Sequence, residues 1–178
     1  MMKKIYIVLI LAILACSSFA QTKSTITKAS VTFKIKNLGI NTSGAFNDLQ
    51  ASIQFKPTDL AGSTIEASVN SGSINTDNSM RDSHLKGSDY FDAVNYPRVT
   101  MKSVSFKHKS GGNYIGHFNV TIKDKTKLIE VPFTYTESGN TAMFNGSFKI
   151  NRSDFGIGGK NMVLADEATV TVDTEISK

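Results

Sequence analysis

The sequence predicts an all-β protein, an antiparallel barrel of about eight strands with one short helical insert. Apolar and polar residues alternate with a period of two through most of the chain, as in Val31-Thr32-Phe33-Lys34-Ile35-Lys36. Glycine- and asparagine-bearing turns separate these runs at hairpin spacing, Ser110-Gly111-Gly112-Asn113 being the clearest. One stretch, Ser71 to Thr100, leaves the alternation for a helical pattern and then returns to it.

The chain opens on a targeting pattern. Met1 to Lys4 is a basic start, Ile5 to Ala15 an apolar run, and Ser18-Phe19-Ala20 a small-x-small cleavage site before Gln21. The run is too short to cross a bilayer. Residues 1–20 therefore read as a signal peptide and residues 21–178 as one exported domain, periplasmic or secreted. Cys16 is the single cysteine and lies in this leader. Lipid anchoring through Cys16 is the less favoured reading, because Leu14 stands where a smaller residue is wanted. Cleavage after Ala20 leaves no thiol for a disulfide, a nucleophile or a metal.

Val31, Phe33 and Ile35 then share one face of the first strand, which ends in a turn over Asn37 to Ile40. Gly44, Phe46, Ala51, Ile53 and Phe55 continue the alternation, with a break at Asn47-Asp48. Pro57 to Gly62 is a loop, and Ile65, Ala67 and Val69 face one way beyond it. In the insert, Ser79-Met80-Arg81-Asp82 fits a capping box. Met80, His84 and Leu85 form its apolar face, and Gly87 stops it. A second turn follows with Ser88 as cap and Tyr90 and Phe91 as its apolar side. Pro97 restores the extended backbone. Strands resume through Val99, Met101, Val104 and Phe106, then Phe118, Val120 and Ile122. A turn at Lys123 to Thr126 leads to Ile129, Val131, Phe133 and Tyr135, where Pro132 marks an edge, a bulge or a strand end. Ala142, Phe144, Phe148 and Ile150 follow, then an irregular Gly-rich segment from Asn151 to Asn161. The last strand carries Val170, Val172 and Ile176.

Alternation with one wet face means antiparallel sheet, closed as a barrel or stacked as a sandwich. The immunoglobulin-type sandwich lacks its cysteine pair and its tryptophan, since the chain has no Trp. A barrel of about eight strands can enclose one slender ligand.

Charge and spacing exclude several chemistries. The formal charge is +5; without Lys3 and Lys4, 18 basic residues face 15 acidic ones. The lysines alternate with apolar residues or sit in turns, which is a solvated strand face and no nucleic-acid patch. His84, His108 and His117 show no metal-site spacing. There is no Gly-x-Ser-x-Gly elbow, and Gly156-Ile157-Gly158-Gly159 does not open a helix as a phosphate loop would. No catalytic residue, metal or cofactor is assigned.

Four separated segments resemble the YceI-like family. They are Val31 to Ile40 with Gly44-Ala45-Phe46; Ser73 to Asn78 running into Arg81 to Lys86; Tyr90-Phe91-Asp92 with Tyr96-Pro97; and Asn151 to Gly156. The resemblance covers residues 24–177 in order. It departs at Val120 to Lys125, where many members carry a histidine and a glycine. The resemblance implies a lipocalin-like antiparallel barrel with a helix that binds a long amphiphile: a polyisoprenoid, an isoprenoid quinone or a fatty-acid derivative. The expected ligand wall is the inward set Phe33, Phe46, Phe55, Val69, Phe106, Phe118 and Val120, continued by Phe133, Tyr135, Phe144, Phe148 and Val170. Leu85 and Phe91 of the insert join it. The two Arg/carboxylate pairs, Arg81-Asp82 and Arg152-Asp154, are expected to bridge each other as ion pairs and pin the insert to the barrel mouth. The expected partner is a long-chain lipid or isoprenoid. Transient membrane contact and a homodimer stay open. The rival readings are an enzyme acting on such a lipid and a stress-response protein with a solid core.

Overall fold

The computed structural model describes residues 24–159 and 163–178. The expected leader and Cys16 lie outside the described residues.

Ten strands form one antiparallel sheet: β1 (Thr25–Asn37), β2 (Ile40–Phe46), β3 (Leu49–Gln54), β4 (Thr64–Asn70), β5 (Ile74–Asn75), β6 (Arg98–Ser110), β7 (Asn113–Ile122), β8 (Lys125–Ser138), β9 (Thr141–Asn151) and β10 (Leu164–Ser177). Their order across the sheet is β3-β4-β6-β7-β8-β9-β10-β1-β2-β5. The count exceeds the expected eight for two reasons. The break at Asn47-Asp48 separates β2 from β3, and the two-residue β5 is too short to show a period.

The sheet curls into an open barrel in which β3, at one end of the order, lies against β1 near the other without a ladder between the two ends among the described residues. Between β2 and β3 the chain has only Asn47 and Asp48, and between β4 and β5 only the 3₁₀ turn Ser71–Ser73. Each short link carries the chain from one end of the strand order to the other. Side chains hold the seam: the Asn47 N–H donates to Ser73 Oγ at 3.1 Å, and Arg98 Nη1 lies 2.9 Å from Asp48 Oδ2.

A second seam opens between β8 and β9. β7 pairs β8 over Lys125 to Thr134, but β9 pairs β8 only from Phe133 onward. Pro132, which has no N–H to give, sits where that pairing begins. The 3₁₀ turn Arg152–Phe155 packs against β8 there, and Phe155 is fully buried among Phe118, Val120, Ile122, Val131 and Phe148.

Residues 71–97 cross one end of the barrel. Helix α1 runs from Ser79 to Lys86, but its cap is Asn78, whose side chain accepts the Arg81 N–H at 2.9 Å. The expected capping box is therefore displaced by one residue, because Asn78 already has extended backbone and supplies the acceptor. Met80 points into solvent instead of sharing a face with Leu85.

The β1–β2 hairpin turns on Leu38 and Gly39, both at positive φ, 51° and 78°. A two-residue loop of this kind suits Asn-Gly; a leucine in the left-handed region costs about 1–2 kcal/mol.

Candidate functional site

The barrel interior divides along its length into a packed end and a hollow end. At the packed end the ring of Phe55, just after β3, stands 5.0–5.6 Å from the rings of Phe106, Tyr114, Phe133, Tyr135 and Phe144. Most of these contacts are edge-to-face, an arrangement that adds roughly 0.5–1.5 kcal/mol per pair beyond the buried area. Burial and the hydrogen bond to Glu137 push the Tyr135 hydroxyl above its ordinary range.

At the hollow end lies a chamber of about 360 Å³. Its wall is made by residues of every strand except β8, with Ile157 from the loop after β9. Leu85 of α1 and Tyr90 and Phe91 of the following turn form its cover. A smaller hollow of about 80 Å³ lies deeper and shares Leu49, Ala67, Met101, Phe148 and Val172 with the chamber. No carboxylate lines either space among the described residues. Gly44 is needed in this wall, since a Cβ there would meet Phe33 Cζ at 2.5 Å and Thr76 Cγ2 at 2.8 Å.

Polar groups gather where the insert meets the barrel. Arg81 Nε donates to Thr76 Oγ1 at 2.8 Å and Nη2 to the Thr76 carbonyl at 2.6 Å. Asp82 Oδ1 accepts the Thr76 N–H at 2.9 Å and the Thr76 hydroxyl at 2.5 Å. Thr76, Arg81, His84 and Asn37 all line the chamber, and the buried Asn37 Oδ1 has no hydrogen-bond partner among the described residues.

The expected bridge between Arg81-Asp82 and Arg152-Asp154 is replaced by other contacts. Arg81 and Asp82 both bind Thr76. Arg152 is only 3% exposed, and its acidic partner is Asp166 at 2.9 Å. Its remaining donors go to the carbonyls of Ala165, Ile157, Gly159 and Leu164, so all five N–H groups are used. Asp154 shares a tight 3₁₀ turn with Arg152, whereas Asp166 lies on the neighbouring strand β10. The insert is pinned differently. The Gly158 N–H donates to the Asp89 carbonyl at 2.7 Å, and Tyr90 covers Gly158 so closely that a Cβ would lie 2.7 Å from its Cε1. Lys123 Nζ adds a bond to the Ser88 carbonyl at 3.1 Å.

Of the expected wall, Phe33, Phe46, Val69, Leu85, Phe91, Val120, Phe148 and Val170 line the chamber. Phe55, Phe106 and Tyr135 do not; they build the aromatic plug. Phe133 and Phe144 belong to the plug and, with Phe118, bound the smaller hollow. Alternation along a strand tells which face is inside but not how far along the barrel axis a residue sits. Val31, Ile35, Ile122 and Val172 also line the chamber and share the parity of residues already chosen. Ile74 and Ile157 lie outside any periodic run and gave no signal.

The chain matches the YceI-like domain over residues 22–176. It belongs to the YceI-like family. A UPF0312 protein of Yersinia pestis is 30% identical over 136 residues, covering 72% of this chain and 70% of that one. Among solved structures, Burkholderia cenocepacia BcnA superimposes with a TM-score of 0.79 at 28% identity, over 83% of this chain and 95% of that one. A polyisoprenoid binding domain from Saccharophagus degradans gives 0.70 at 13% identity, over 87% and 97%, which shows a shared fold. The YceI-like barrel expected from the four motifs is thus the fold found.

Proposed function

We propose that this protein is a carrier that holds one long-chain amphiphile, a polyisoprenoid, an isoprenoid quinone or a fatty-acid derivative, in the chamber. It would work in the periplasm or outside the cell, storing or moving its cargo without changing it. One observation carries this reading: an apolar chamber of about 360 Å³, closed at one end by rings and bounded at the other by a short insert. That volume lies in the range of small-molecule pockets. Each carbon group taken from water contributes about 0.8 kcal/mol, so a long tail binds tightly with few polar contacts. Membership of the YceI-like family and the likeness to a polyisoprenoid binding domain support the same reading.

Binding without turnover agrees with how the charged lining groups are used. Arg152 spends every donor on the fold, Arg81 is held by Thr76, and His84 stacks edge-on against Tyr90 at 4.9 Å. Native mass spectrometry and lipid extraction of the purified protein test the reading. A stoichiometric long-chain lipid is expected. A protein that is empty and stays empty when offered isoprenoids and fatty acids would overturn it.

A further inference from the structure

The tip of the β1–β2 hairpin carries a leucine where the backbone favours asparagine, and that leucine is not buried. Leu38 is 72% exposed and its neighbour Ile40 is 71% exposed. Neither side chain gains from folding, so the strained turn does not hold a leucine for stability. The Leu38 N–H donates to the Val163 carbonyl at 2.8 Å. Val163 is itself 46% exposed and lines the chamber. An apolar strip therefore runs from the hairpin tip into the hollow. Behind the tip, Lys34 and Lys36 stand exposed on the outer face of β1. Lys34 faces Ser43 and Thr169, and Lys36 faces Asn41; on the β10 side of Lys36 the register shifts past Asp166 and Glu167, whose carboxylates pair with Arg152 and Lys149.

We propose that this tip docks the protein on a phospholipid bilayer. Leu38 and Ile40 enter the upper acyl region, and Lys34 and Lys36 meet lipid phosphates. The apolar strip then joins the bilayer to the chamber, and an acyl or prenyl tail passes between them without crossing water. The purpose assigned to docking rests on the carrier reading; the docking itself does not. A two-residue tip is too narrow to supply the roughly 1,200 Å² that a stable protein interface buries. Insertion needs no such area: apolar side chains and flanking cations suffice at a lipid surface.

Flotation of the full chain with vesicles of equimolar phosphatidylcholine and phosphatidylglycerol tests the proposal. The comparison is the double variant Leu38→Asn, Ile40→Thr, whose new residues suit a left-handed turn and a strand and so keep the fold. Circular dichroism and the melting temperature confirm that it is folded. The parent is expected to float with the vesicles, and the double variant to bind roughly tenfold to a hundredfold more weakly, as loss of buried aliphatic side chains implies. Met143→Thr, an exposed apolar residue on the barrel wall, should leave binding unchanged. Parent protein that stays with the soluble fraction, or a double variant that floats equally well, would overturn docking. So would sedimentation showing that the tip instead joins two copies of the chain. The vesicles contain no added cargo, so failure to find a bound lipid would remove the carrier reading without affecting this result.

Discussion

The ring of Phe55 stands edge-on to that of Tyr114, with centroids 5.2 Å apart and planes at 88°. This contact, repeated with four more rings around Phe55, ends the hollow part of the barrel. Phe55 follows β3, the first strand of the sheet order, yet it touches rings from β6, β7, β8 and β9 on the opposite wall. It thus fixes how tightly the sheet curls and how deep a ligand can reach.

Replacing Phe55, which is partly buried, by alanine should destabilise the protein by about 3 kcal/mol, the low end of the cost of removing a fully buried ring. For a domain of this size that is a fall in Tm of roughly 10 °C. Calorimetry measures the loss. In a carrier, the same change lengthens the space, and lipid extraction should show a shift toward longer chains.

Filling the chamber should have the opposite signature. Val120 and Val170 both line it, on β7 and β10. Val170→Phe places a ring where the structure has room, so the strain is small, below the usual 1–3 kcal/mol of overpacking. The expected outcome is a protein with unchanged far-ultraviolet dichroism that no longer copurifies with lipid. Full lipid occupancy in Val170→Phe would show that cargo sits elsewhere.

How much of this was legible in the sequence depends on which physical rule carries each part. Period-two alternation placed Phe33, Val69 and Val170 inside, because a pleat allows only two faces. It could not separate Phe148, on the chamber wall, from Phe144, in the plug, although both lie on β9 with the same parity. Depth along a barrel comes from strand stagger, which lies in the pairing register and not in any one strand. The charge pairs failed for a related reason. Arg81 and Asp82 do not reach across to Arg152 and Asp154, because both bind Thr76, and the Arg152 guanidinium turns toward the carbonyls and carboxylate of residues 157–166. The helix cap was missed by one position because Asn78 and Ser79 are both good caps, and backbone geometry selects between them.

Arg152→Lys should be a severe change despite keeping the charge. Lysine offers three donors from a point, whereas the site uses five from a plane. The buried Ile157 carbonyl would lose its partner at about 1–3 kcal/mol, and the part-buried carbonyls of Ala165, Gly159 and Leu164 would lose theirs at less. Thermal unfolding should fall by at least about 3 kcal/mol. Hydrogen exchange should speed up in the loop between β9 and β10 before it does in β7.

The carboxyl of Glu137 is held below the ordinary glutamate range by hydrogen bonds from Lys178 and then from the Tyr135 hydroxyl. A depressed folded-state pKa means that the contribution is present above the unfolded value, near 4.3, and is lost as pH falls through the folded one. Glu137→Gln should therefore lower stability at neutral pH and converge with the parent on acidification below that value. The pair lies at the surface, so the difference stays under about 1 kcal/mol. Paired melting curves across the acid range measure it; a gap that widens as pH falls would contradict the assigned sign.

Leu38→Asn tests the hairpin from the side of stability alone. The left-handed turn costs a leucine about 1–2 kcal/mol and costs asparagine much less. Leu38 is exposed, so little burial is lost with it. The single variant should therefore melt higher than the parent, by roughly 2–4 °C for each kcal/mol recovered. Gly39→Ala should melt lower, because Gly39 has φ 78° and alanine is strained there even though nothing lies within 4 Å of the added carbon. An asparagine variant that melts below the parent would show that Leu38 is stabilising after all, through packing against Val163, and would remove the reason to seek another role for it.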